Sequence, residues 1–370
     1  MVANLTTRLG QLTSSPAGGP YTGANKIING DMVISQIAVG AAVPAVSGVS
    51  SYPVDRFISQ VNVSSKITSQ QAAAGGATGL AKCLGYTSLS AYSVAAGEYF
   101  LCSQKVEGYN VADLLWGTAS AKTITVSFWV YSSLTGLHGG VVSNSAQDRT
   151  YPYSYTISVA NTWEYKTVTI AGDTSGTWLT TNGIGLHLRF SLGTGATYKG
   201  TAGAWTAGTY FSCTGEVSTV GTNGATWYVT GVKLEVGTIA TPFVSDDYAV
   251  SLEKCQRYYE KTYSQPTAPG GITSVGSRLL LFYNLSAAAT GVCSIPGTNF
   301  ATPKRAVPTT TVYSPQTGAT GKAADGITGT DTAAGTSLYA GETSFLFYAQ
   351  PNTSTTTVNM TIHWTADAEL

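Results

Sequence analysis

The stretch TITVSFWVY, residues 123–131, places Ile124, Val126, Phe128 and Val130 on one side of an extended chain and Thr125, Ser127, Trp129 and Tyr131 on the other. Successive side chains of a strand point to opposite faces, so this period of two predicts a half-buried strand with an unusually aromatic second face. IGLHLRF (184–190) repeats the pattern, with Ile184, Leu186, Leu188 and Phe190 inward and Gly185, His187 and Arg189 outward. In ATWYVTGVKLEV (225–236), Tyr228, Val232, Leu234 and Val236 are expected on one side and Trp227, Val229, Lys233 and Glu235 on the other. The connections TGLHGG (135–140), GDTSGTW (172–178) and SLGTGATYKG (191–200) are rich in turn residues. Short alternating strands joined in this way predict an all-β chain whose residues 25–245 form a jelly-roll β-sandwich.

Composition agrees. Charged residues make up 10% of the 370, against roughly 25% in ordinary soluble domains. Nineteen basic residues balance nineteen acidic ones, so phosphate neutralisation offers no route to nucleic-acid binding. A surface this poor in charge calls for its strand edges to be covered, in an oligomer or a larger particle. The first residues contain no apolar run of signal-peptide length, and no stretch is long enough to span a bilayer. The expectation is a soluble chain made in the cytoplasm, without membrane insertion. Cys83, Cys102, Cys213, Cys255 and Cys293 lack any CxxC spacing and read as buried free thiols.

Residues 1–24 form a leader in which Leu5, Leu9 and Leu12 share a helical face before the breaker SSPAGGP. It reads either as a docking peptide, ordered only on another chain, or as a disordered arm. Residues 246–263, DDYAVSLEKCQRYYEKTY, read as a linking helix capped by Ser245 or Asp246, with Tyr248, Leu252, Cys255 and Tyr259 in one stripe. That stripe would pack on its own domain or clamp an interdomain or oligomer axis. Residues 264–370 become strand-like again in SRLLLFYNLS, SFLFYAQ and TTTVNMTIHW, a smaller C-terminal β domain in which Pro303, Pro308 and Pro315 mark edges and turns.

An ordered series of phrases runs through the chain: NKIINGDM, YPVDRF, KVEGYNVADLLWGTA, SFWVYSSLTGLHGG, NTWEYKTVTIAGDTSGTW, TNGIGLHLRFSLGTG, ATWYVTGVKLEVGTIATPF and LEKCQRYYEKT. The series resembles a family of bacteriophage virion proteins, tail fibres and tail structural parts, whose main domain is similar to a carbohydrate-binding jelly roll. The resemblance implies a virion location, a homotrimer, contacts with other virion proteins and adhesion to host cell-surface polysaccharide. Jelly-roll carbohydrate modules of this kind often carry a structural calcium held by oxygen ligands. Asn29, Asp31 and Asp55 would contribute to one here if folding brings them together.

Catalytic signatures are missing: there is no GxSxG, HExxH, Walker or Rossmann pattern. No pair among Glu98, Glu107, Asp113, Asp148, Glu164 and Asp173 can be placed at a glycoside-cleaving distance from sequence. Asp55 and Arg56 in YPVDRF suggest an ion pair stapling a strand end. Aromatic rings are the natural sugar contacts, because a pyranose presents an apolar C–H face to a flat ring. Trp129, Tyr131, Trp163, Tyr165, Tyr198, Trp205, Tyr210 and Trp227 lie off the expected inward faces. The loop residues Tyr198, Trp205 and Tyr210 are the preferred candidates, since loops carry binding in sandwiches; burial between layers or subunits is the competing fate for all of them. The sequence thus points to a non-enzymatic virion attachment protein. A purely structural virion part (decoration, collar or baseplate adaptor) and a glycan depolymerase are the alternatives.

Overall fold

The computed structural model describes residues 25–283, 293–332, 335–349 and 357–370. The leader with Leu5, Leu9 and Leu12 lies outside the described residues. The chain divides into two compact units: the first holds the described residues up to Val33, Ala41–Pro53 and Phe57–Asp246, and the second holds Ile34–Gly40, Val54–Arg56 and Asp247–Leu370.

Fifteen strands build the first unit: β1 (Val43–Pro44), β2 (Ser51–Val54), β3 (Phe57–Val61), β4 (Ile67–Ala73), β5 (Lys82–Ser88), β6 (Tyr99–Glu107), β7 (Ile124–Ser132) and β8 (Gly136–Ser143), then β9 (Arg149–Ile157), β10 (Thr162–Ile170), β11 (Ile184–Thr194), β12 (Lys199–Gly200), β13 (Thr206–Ala207), β14 (Ser212–Cys213) and β15 (Thr226–Val236). They form a six-stranded sheet in the order β1-β4-β5-β15-β7-β10 and a seven-stranded sheet in the order β13-β9-β8-β11-β6-β3-β2, with β12 and β14 as a separate short parallel pair. The two large sheets make a jelly-roll β-sandwich.

The predicted inward set on β7 is fully buried: Ile124, Val126, Phe128 and Val130 are all 0% exposed. Rings from both sheets interdigitate with it. Phe128 meets Phe190 at 4.9 Å and Tyr155 at 5.0 Å, Phe190 meets Trp227 at 5.5 Å, and Trp227 Nε1 donates to the Tyr155 hydroxyl at 3.1 Å. Edge-to-face and tilted ring pairs of this kind add to the burial of their large apolar area.

Trp227 and Val229 lie in this core, contrary to the outward side expected for them. The register of β15 against β7 shifts between Thr230 and Lys233, and Gly231 takes a left-handed φ of +60° there. This β-bulge adds a residue and reverses the alternation, so Trp227 and Val229 share the inner face with Leu234 although their spacing is odd.

The NKIINGDM phrase holds the two sheets together. Asn25 Nδ2 donates to the Val232 carbonyl, its Oδ1 accepts from the Ile27 and Leu234 amides, and the Gln104 side chain on β6 exchanges two hydrogen bonds with Ile28. Asn29 occupies the left-handed region in the turn before Met32, as expected of an Asn-Gly pair.

The second unit holds α1 (Tyr248–Gln256), β16 (Tyr259–Lys261), β17 (Arg278–Tyr283), β18 (Cys293–Asn299), β19 (Thr309–Tyr313), β20 (Ala324–Asp325), β21 (Thr330–Asp331), β22 (Gly335–Leu338), β23 (Ser344–Ala349) and β24 (Thr357–Asp367). β24 pairs with β16, β17, β19 and β20, while β18, β23 and β22 form a three-stranded sheet. Phe300, Phe345, Met360, Ile362 and Trp364 lead the core.

The linking helix is shorter than expected and does not reach residue 263. After Gln256 the chain turns and Tyr259–Lys261 pairs with β24, because the ladder gives these backbone groups partners that a further helical turn would only exchange. Its N-cap is Asp247, without a side-chain capping bond, rather than Ser245 or Asp246. The stripe is therefore broken: Tyr248 is 51% exposed at the helix start, Cys255 is buried within the helix, Leu252 is half-buried, and Tyr259 is buried in a strand. No helix among the described residues is long and apolar enough to cross a membrane.

Candidate functional site

The outer face of the seven-stranded sheet carries a cleft of about 310 Å³. Its floor is made by Arg189 on β11, Leu101 on β6 and Gln60 on β3. One wall is aromatic, formed by Tyr99, Tyr198 and Phe211. Ala146, Gln147 and Thr209 complete the rim.

On β11 the inward expectation holds for Leu186, Leu188 and Phe190, whereas Ile184, beyond a register shift, is half-buried; His187 and Arg189 point away from Leu188 and Phe190 yet are each 2% exposed. The correction lies in the chain after β11, which returns over this face. Gly195 N–H donates to the Glu98 carbonyl, Phe211 N–H to the Tyr198 carbonyl and Gly208 N–H to the Asp148 carbonyl, while Thr209 Oγ1 donates to the Gln147 carbonyl. Residues 195–211 are thus fastened along both sides of the cleft. Tyr198 stacks on Phe211 at 4.6 Å, and both meet Tyr99 edge-on, at 5.8 and 4.9 Å. The rings fix one another, which limits the entropy lost when a ligand settles against them.

Arg189 is the charged group of the floor. Its Nη1 donates to Ser143 Oγ at 3.0 Å, and its Nη2 lies 3.0 Å from both Gln147 Oε1 and His187 Nδ1. The Phe211 ring stands 5.1 Å from its guanidinium carbon. Every one of these neighbours is neutral, and among the described residues Nε has no hydrogen-bond partner. Burial lowers the guanidinium pKa to about 9, with the Tyr99 phenol acting in the other direction. Burial also pushes the His187 imidazole well below its usual range, assisted by the charges of Arg189 and Lys105; a neutral ring accepting at Nδ1 follows. Gln147 reaches Arg189 from the β8–β9 turn, where it holds a left-handed φ of 58°. Asn144 braces that turn by donating to Asp148 Oδ1 at 2.6 Å and to the Thr177 carbonyl at 3.1 Å.

Of the loop aromatics expected to bind sugar, the structure brings only Tyr198 to the cleft. Trp205 packs with Trp116, Trp178 and Tyr151 at 5.3–5.4 Å, and its Nε1 donates to the Ala171 carbonyl. The bidentate Arg149–Asp173 pair adjoins this region through β9. Tyr210 lies against Gly200 and Gly208, where an added Cβ would come within 3.1–3.3 Å of its ring. Trp129 and Tyr131 sit on the outer face of the other sheet, where they meet Tyr165 and Trp163 across the β7–β10 ladder at 5.4 and 5.7 Å, and Tyr131 also meets Tyr228. All are half-buried except Tyr165, which is 39% exposed.

The calcium ligands expected at Asn29, Asp31 and Asp55 are all buried. Asn29 and Asp31 are buried in the first unit, whereas Asp55 belongs to the second. There its Oδ1 accepts from the Gln36 amide at 2.7 Å and its Oδ2 from Gln36 Nε2 at 2.6 Å, so both oxygens already have donors. Burial raises the Asp55 pKa against these bonds and the nearby charges of Lys261 and Arg56. Among the described residues no group of three or more His, Cys, Asp or Glu is arranged to hold a metal ion. Arg56 reaches Glu369 and lies 3.5 Å over the Tyr258 ring, so this part of YPVDRF is a structural staple within the second unit.

Sequence reasoning missed Arg189, Gln60, Gln147, Tyr99 and Phe211. The one available signal was an arginine inside an otherwise apolar strand pattern, and it read as an ordinary solvated residue.

No family model matches the chain, and no curated protein matches it in sequence. Among solved structures, it is similar to the enzymatically active domain of tailspike protein 4 from bacteriophage CBA120, at 12% identity and a TM-score of 0.30, over 61% of this chain and 23% of that one. It is also similar to a family 4 carbohydrate-binding module, at 14% identity and a TM-score of 0.27, over 56% of this chain and 98% of that one. A family 11 carbohydrate-binding module from Clostridium thermocellum, solved with a β-1,3-1,4-mixed-linked tetrasaccharide, matches at 12% identity and a TM-score of 0.27, over 54% and 98% of the two chains.

Proposed function

We propose that this chain is a non-enzymatic attachment protein that binds a surface glycan in the cleft of its sandwich unit. The observation that carries the reading is the cleft itself, a preformed concavity with an aromatic wall and convergent Gln60, Gln147, Thr209 and Arg189. Aromatic area beside a few fixed hydrogen-bonding groups suits a sugar, which is apolar on its ring faces and polar at its edge. A volume of about 310 Å³ is at the small end for ligand sites and favours one sugar residue of a longer chain over a large ligand. The lining contains no Asp or Glu, so the two carboxylates of ordinary glycoside hydrolysis are not at hand in the cleft.

The virion setting rests on the ordered sequence phrases. A homotrimer would supply the multivalency that weak single-site contacts need. Arrays of bacterial surface polysaccharide, probed with the full chain and with Tyr198→Ala, test the binding. Reproducible binding that weakens in the variant is expected. Silence across the array removes the adhesive role and leaves a purely structural part. Release of new reducing ends from a bound polysaccharide would make the protein a depolymerase instead.

A further inference from the structure

We propose that the glycan taken by the cleft is acidic and that Arg189 receives the carboxylate of one of its sugar residues. The proposal rests on reading the cleft as a glycan site and narrows it to a substrate class.

Arg189 is 2% exposed and lines the cavity. The partners of its guanidinium are a serine hydroxyl, a glutamine carbonyl, a neutral imidazole and the face of a phenyl ring. None of them carries a negative charge. A guanidinium has five N–H donors, and here Nε is buried without an acceptor among the described residues.

A buried cation with no counter-ion is costly, because the Coulomb energy that normally offsets its desolvation is missing. Fold stability alone would favour a neutral side chain here. The charge is useful when an anion enters from the cavity side and supplies the missing counter-charge. Ser143, Gln147 and His187 hold the guanidinium in place beforehand, so a ligand need not order it. Lys105, the cross-strand neighbour of His187, adds to the positive field on this face. Tyr99, Tyr198 and Phe211 then offer the ring face while Arg189 takes the acid.

The test is calorimetric titration of the full chain with oligosaccharides of galacturonate, glucuronate and sialic acid, each as free acid and as methyl ester, beside neutral oligomers of glucose and galactose. The expected result is a free acid bound at least about tenfold more tightly than its own ester, the size of one charge-assisted hydrogen bond. The uronate and sialate arms identify which acid it is. In Arg189→Gln the acid and the ester should bind within about twofold of each other, with Arg189→Lys in between. Esters or neutral oligomers bound as tightly as the acids by the unaltered protein overturn the Arg189 assignment and leave the glycan site standing. No binding of any oligomer overturns both. The acid-to-ester comparison uses the unaltered protein, so it decides the matter even if a variant fails to fold.

Discussion

The side-chain oxygen of Gln147 lies 3.0 Å from Arg189 Nη2, and it gets there from a backbone conformation that glutamine normally avoids. Left-handed φ costs a residue with a Cβ roughly 1–2 kcal/mol, and strain of this kind persists where the surroundings impose it, often at a binding site. Gln147→Gly should therefore be at least as stable as Gln147→Ala, by about 1 kcal/mol, because only glycine relieves the strain. Both should weaken glycan binding, since both remove the acceptor that orients Arg189. Urea denaturation read beside titration separates the two effects; an alanine variant more stable than the glycine one would contradict the strain argument.

Tyr198 and Trp205 looked equivalent in sequence but have different surroundings. Tyr198→Ala should lower binding at least about tenfold with a stability loss near 1 kcal/mol, as its ring is half-buried on the cleft wall. Trp205→Ala should cost more, about 2–3 kcal/mol, because the half-buried ring packs against Trp116, Trp178 and Tyr151 together. Thermal unfolding and titration of both variants check the split.

Gly30 should tolerate nothing larger. A Cβ at that position would lie 2.1 Å from the Val232 carbonyl oxygen, a backbone atom that cannot rotate aside. The Val232 N–H bonds to the Gly30 carbonyl at the same place, so a shift would also break the staple between NKIINGDM and β15. Gly30→Ala is expected to fold poorly or lose more than about 3 kcal/mol, beyond the loss for most single substitutions. Soluble yield and the urea midpoint measure this, and near-normal values would show that the staple yields.

Stability should fall as pH rises above about 9. Burial pushes the thiols of Cys83 and Cys213 up to about 11 and that of Cys102 up to about 12, and it raises Tyr86, Tyr153 and Tyr155 as well. Above the unfolded thiol value the unfolded chain releases protons that the folded chain keeps. The folded state then binds more protons, and its stability drops with each increment of pH. Lys261 and Arg189, lowered to about 8 and about 9 by burial, act in the opposite sense but are fewer. Urea midpoints at pH 9, 10 and 11 should decline in that order, the range over which the unfolded thiols and then the phenols ionise. A rising series would mean that the buried thiols and phenols do not govern alkaline stability.

Much of the sandwich was readable because strand identity is a local property. The inward residues of β7 and Leu186, Leu188 and Phe190 of β11 follow from an alternation that a few neighbouring residues display by themselves. The Asn29–Gly30 turn follows from the conformational freedom of those two residues. Lone apolar positions could not reveal the switch at Gly231, because a glycine permits a bulge and only pairing with β7 makes one. Nor could they separate Tyr198 from Trp205, since both sit in one glycine-rich loop and differ only in what the returning chain packs against them.

The sequence by itself determined an all-β chain with a sandwich, a short helix and a second β unit, since side-chain period and turn chemistry act over a few residues. Tertiary structure alone decided that His187 and Arg189 are buried on an outer face, because that depends on residues 195–211 folding back over β11. It also placed Asp55 and Arg56 with Gln36, Tyr258 and Glu369 in the second unit. Partners hundreds of residues apart leave no local trace, and the burial of an arginine charge is set by what the rest of the chain brings to cover it.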